Sequence, residues 1–199
     1  MSSPVASTIS FRSLLRRFRR NRKGDAVVQF ALVAPMFFAL LFAIIETALM
    51  FLASQVLETI TQESARLIFT GQQQTQQLTA GQLLACPLQP DPTKPANPQG
   101  QFKCLACANI PALFDCSKLS VDVESYPSFS AVTINSQIDG SGNFVNNMQY
   151  NPGGPGDIVV VRLFYQWPLF VTGLGYNIAN MSGNQRLLVA TAAFENEPY

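Results

Sequence analysis

Four cysteines and no histidine bound the chemistry open to this chain. Cys86, Cys104, Cys107 and Cys116 lie in one stretch, and Cys104 and Cys107 form a C-x-x-C. That spacing serves a dithiol redox centre or half of a zinc site. The missing histidine removes the usual imidazole ligand, the commonest general base and the Ser-His-Asp triad. No second C-x-x-C completes a metal site. Two structural disulfides are expected, with three pairings open. Asp122 and Glu124 share one side of an alternating segment and read as a solvated face of a strand, not as an acid–base couple. The glycines of Asn151–Gly156, NPGGPG, precede a strand and not a helix, so they make a turn and not a phosphate cradle. No enzymatic activity, cofactor, metal or small-molecule substrate is expected.

Whether those thiols oxidise depends on which side of a membrane they occupy. From Ala26 to Ile45 no residue is charged. At 1.5 Å per residue such a run is about 30 Å long, the thickness of a bilayer core. Apolar character continues through Leu49, Met50, Phe51 and Leu52, which is too long for the apolar core of a secretory signal and predicts a retained span. Of the thirteen Lys and Arg, seven lie in residues 1–23, where there is no acid. A basic patch can bind nucleic acid, but one abutting a span reads as a positive-inside signal. Residues 1–24 are therefore a basic cytoplasmic leader and the rest crosses, placing all four cysteines where disulfides persist.

The elements that position these residues follow from periodicity. One helix is predicted over 25–70, with Pro35 inside it and Gly71 as its stop. Its first half is apolar all round. Its second half is amphipathic, with Leu49, Ala53, Val56, Ile60, Ser64 and Leu67 on one face. Val56, Ile60 and Leu67 are the positions expected to pack. Glu46 stands near the outer end of the run, reaching headgroups or water, or pairing with a neighbouring subunit. Residues 71–199 form the extracytoplasmic head. Prolines 87, 90, 92, 95 and 98 argue against regular structure in the cysteine region. Strands are expected at Leu119–Ser125, Phe129–Ile134, Asp157–Trp167 and Arg186–Glu195. The fold class is α+β: a long helix followed by a small antiparallel sheet.

Five segments, GDAVVQFALVAPMF, ARLIFTGQ, FDCSKLSVDV, GDIVVVRLFYQWPLF and ATAAFENEPY, occur in the order found in a known family. The chain resembles the TadE-like minor pseudopilins of the tight-adherence (Tad/Flp) pilus system over about Gly24–Tyr199. The resemblance implies a pilin-like plan in a single-pass protein of the bacterial inner membrane, with a surface pilus as its second location. A prepilin peptidase would cut after Gly24 and leave Asp25 as the new amino terminus. Phe30 matches the family's aromatic position, and Gln29 stands where the family has glutamate. The implied partners are other pilins and pseudopilins, met through helix packing. A membrane-anchored envelope binding module or adhesin, outside any filament, is the alternative.

Overall fold

A computed structural model describes residues 24–71, 98–108, 110, 114–171 and 176–198. Residues 1–23 of the expected leader 1–24, Cys86 and prolines 87, 90, 92 and 95 lie outside these residues. The chain divides into two compact units, 1–44 and 45–199. Helix α1, Asp25–Phe69, begins in the first and continues into the second. It ends as its composition requires. Gly71 adopts φ +69°, which a residue without Cβ accepts freely. The Gly71 amide then reaches the carbonyl of Ile68 at 3.0 Å.

In the first unit, α1 presents large apolar side chains to its surroundings on every side, including Val27, Phe30, Leu32, Met36 and Phe42. The helix is long and apolar enough to cross a membrane, and its most apolar window is wholly unburied within the chain. It fits a single-pass membrane anchor.

In the second unit the remainder of α1 lies on a sheet. Strands β1 (Leu119–Tyr126), β2 (Ile158–Pro168) and β3 (Gln185–Glu195) pair antiparallel in the order β1-β2-β3 among the described residues. Alternation sends Leu119, Val121, Val123, Val159, Val161, Leu163, Tyr165, Trp167, Leu188 and Ala190 into one core with α1. From α1 come Met50, Ala53, Leu57, Ile60, Ala65 and Ile68. The buried stripe is therefore centred one position from the expected one. Ile60 is buried, Val56 and Leu67 are half-buried, and Leu49 is exposed. Leu49 and Met50, Val56 and Leu57, and Leu67 and Ile68 are apolar neighbours, so spacings of three and four fit two adjacent stripes.

The two ends of this layer are tied. Near the start, Glu46 meets the segment after β2, through the amides of Phe170 and Val171. At the finish, the Phe69 carbonyl accepts from the Glu197 amide at 3.1 Å, and Phe69 meets Phe194 edge-on at 5.8 Å. From Glu46 to Phe69, α1 thus runs antiparallel to β2, and both cover roughly 35 Å.

Two expected elements differ. Phe129–Ile134 is not a strand: Phe129–Ala131 is a turn of 3-10 helix followed by irregular chain. Pro127 supplies no N–H for a ladder, and the amide of Ala131 turns back to the Ser128 carbonyl at 3.1 Å. Conversely, the proline-rich region holds a helix, α2, at Pro98–Ala108. Pro98 occupies its first turn, where a missing N–H breaks no helical bond. Phe102 and Ala106 of α2 are fully buried, and the Gln99 side-chain amide donates to the Val121 carbonyl at 2.9 Å.

Candidate functional site

Four groupings carry the residues singled out by the sequence. The first is the start of α1. Gly24 immediately precedes the helix, and Asp25 is its first residue. An acid there complements the positive end of the helix dipole. One turn on, Gln29 Nε2 donates to Asp25 Oδ2 at 3.1 Å. Phe30 beside it is 69% exposed. A carboxylate, an amide and an aromatic ring thus share the first five to six residues, with the negative charge on the first and not the fifth.

The second is Glu46. It is buried, and both its oxygens accept backbone amides: Oε1 from Phe170, and Oε2 from Val171 at 3.0 Å. The next residue, Thr47, hydrogen-bonds through its hydroxyl to that of Tyr176. Within its own chain Glu46 thus turns inward, and not outward to headgroups or water as expected. Its stripe on α1 points it inward with Met50, Ala53 and Leu57, and the 170–171 backbone supplies partners that no local pattern reveals.

The third is the carboxylate pair, also corrected. Asp122 is not on a solvated face; it is 1% exposed. It is the register partner of Arg162 across β1 and β2. Arg162 Nε and Nη2 donate to Asp122 Oδ2 at 3.0 and 2.6 Å, and Nη2 also reaches Glu124 Oε1 at 3.2 Å. Nη1 donates to the Asn135 carbonyl at 3.2 Å. Asp122 Oδ1 accepts the Gln149 amide at 2.8 Å, and Glu124 accepts from the Tyr126 hydroxyl at 2.5 Å. Burial and the Glu124 hydrogen bond raise the Tyr126 phenol above its ordinary value. The long loop after β1 is what covers this face. It also adds Ile138, Phe144 and Met148 against a small second core of Phe164, Met181 and Leu187.

The fourth is the cysteine region. Cys107, in the last turn of α2, is bonded to Cys116 just before β1, with Cα atoms 5.9 Å apart. Cys104 is also disulfide-bonded. The pairing thus ties α2 to the entry of β1, where Phe114 packs edge-on to Tyr165 at 4.8 Å. Asp115 caps the short turn between them by accepting from the Ser117 hydroxyl and amide, which holds its carboxyl below the usual range. Burial lowers the Lys103 ammonium, partly offset by Asp115. Between α1 and α2 lies an open cleft of about 480 Å³, lined by Gln55, Val56, Thr59, Ile60, Glu63, Ala108 and Ile110.

These groupings hold segments together by hydrogen bonds, one ion-pair cluster and a crosslink. Among the described residues, no three His, Cys, Asp or Glu side chains converge as metal ligands would. No curated protein and no solved structure matches the chain. The family model described as TadE-like protein matches residues 24–66, from the glycine before α1 to near its end. Over that helix the chain is similar to TadE-like proteins.

Proposed function

We propose that this protein is a non-catalytic minor pseudopilin that acts in assembly of a Tad/Flp-type pilus by packing α1 against the helices of other pilin-like subunits. It is held in the inner membrane by the first half of α1, with residues 1–24 in the cytoplasm and residues 71–199 outside. The observation that carries this reading is the family match at 24–66 on a helix whose first half is apolar all round and unburied. Such a surface is stable in lipid, and equally among like helices. A prepilin peptidase separates Gly24 from Asp25. The new terminus then carries an α-amino group and the Asp25 carboxylate together, with Gln29 holding that carboxylate toward the helix.

The test is the mass and amino-terminal sequence of the protein taken from bacterial membranes. A terminus at Asp25 is the expected result, and an intact segment 1–23 would overturn processing. Gln29 favours a second reading: a membrane-anchored envelope binding module or adhesin that stays out of the filament. Sheared pilus fractions separate the two, because only the pseudopilin enters them or changes their yield on deletion.

A further inference from the structure

We propose that the base of the head is itself a lipid-binding surface, in which Phe170, Leu49, Phe51 and Leu52 seat the folded domain in the headgroup layer of the membrane. The inference rests on the reading of α1 as a membrane anchor and adds a second contact to it.

Three observations converge. The charge-free run ends at Ile45, yet the exposed residues that follow remain apolar: Leu49 is 41% exposed, Phe51 65% and Leu52 54%. Between Asp25 and Glu58 the single charged residue is Glu46, and it is buried. From Ala26 to Leu52 a helix rises roughly 40 Å, which exceeds the hydrocarbon core and matches the bilayer with its headgroup regions. Second, the segment after β2 stands at the level of Glu46 and carries Phe170, which is 85% exposed, the most open large apolar side chain among the described residues. Third, the backbone at this point is prepared for a medium with little water. Glu46 takes up the amides of Phe170 and Val171, so neither donor needs solvent. Tyr176 adds an aromatic ring whose hydroxyl is engaged by Thr47, the amphipathic kind of group that favours the interface. A soluble face would carry charge at these positions. A lipid-facing one carries apolar side chains over satisfied backbone, as here. The buried Glu46 therefore serves as the internal acceptor that lets a loop enter the interface.

Phe170→Trp, made in the full-length chain and reconstituted at low copy number into phosphatidylcholine vesicles, tests this. Some lipids carry bromine on the upper acyl chain as a quencher. The control is Phe129→Trp, since Phe129 follows the far end of β1, roughly 35 Å from Phe170 along the sheet. The expected result is a loss of most of the added emission for Phe170→Trp on bromination, with the Phe129→Trp emission unchanged. Quenching by aqueous iodide and not by bromolipid at position 170 would overturn the proposal. So would shielding from both quenchers at low copy number, because protein and not lipid would then cover the surface. Co-sedimentation of the unmodified chain with the same vesicles is measured alongside. Failure there overturns the anchor and the seat together. Co-sedimentation without bromolipid quenching at 170 overturns the seat alone.

Discussion

Arg162 and Asp122 face each other as register partners across β1 and β2, and their charged groups meet 2.6 Å apart with side chains 5% and 2% exposed. The pair joins more than two strands. Through Asn135 and Gln149 it also fixes both ends of a loop that crosses the second face of the sheet. The Val123 amide in turn donates to the Gln149 carbonyl and the Val123 carbonyl accepts the Asn151 amide, extending the edge of β1. One guanidinium therefore couples the order of the sheet to the order of its cover.

Removing one partner should cost much more than the pair is worth. Arg162→Met leaves Asp122 buried beside Glu124 with no cation, and breaking such a pair costs about 3–5 kcal/mol. Asp122→Asn retains the contact with Gln149 and should cost less. A double-mutant cycle in urea is the measurement: the double variant is expected to be clearly less destabilised than the sum of the two singles. Additive losses would mean that the two side chains act independently.

Much of the fold was legible in the sequence where a signal was local. The long helix and its stop at Gly71 followed from apolar content and a residue able to take positive φ. The alternation of β1 and the β-branched and aromatic run of β2 placed two strands within one residue of their observed ends, and the expected Arg186–Glu195 matches β3 as closely. What was not legible depended on distant chain. Alternation put Asp122 opposite Val121 and Val123, but it says nothing about whether a loop covers that side. Glu46 finds its amides more than 120 residues onward. The same physics misled at the prolines: a proline bars a helix interior and suits a helix start, and Pro98 is at a start.

Glu46→Ala should release the loop it clasps. A donor left without its acceptor costs about 1–3 kcal/mol where water cannot replace the bond. Hydrogen exchange of the Phe170 and Val171 amides is expected to accelerate in Glu46→Ala, with Glu46→Gln intermediate because its amide oxygen still accepts. Unchanged exchange in both variants would show that the clasp does not hold the loop.

The Cys107–Cys116 crosslink closes a nine-residue separation. In the chain-entropy account a loop of that size contributes about 2–3 kcal/mol. Replacing both residues by serine should lower stability by that order and loosen α2 from β1, so that Phe102 amide protection falls with it. Thiol labelling of the unfolded, unreduced protein should find no reactive cysteine; labelling at 107 and 116 would contradict the bond.

Alkaline pH should weaken the head through Tyr150. Its ring lies 5.9 Å from that of Phe102, and burial pushes its phenol from 10 up to about 12. Because the folded value is the higher one, the folded state keeps its proton where the unfolded chain has lost it. Stability from this group is whole below about pH 10 and falls as pH rises toward 12. The loss has an upper bound of about 2–3 kcal/mol for two pH units. Tyr150→Phe removes the ionisation and should flatten that part of the curve, measured by urea unfolding at a series of alkaline pH values. Parallel losses in wild type and Tyr150→Phe would assign the alkaline weakening elsewhere, with Tyr126, whose phenol is also raised, as the next residue to replace.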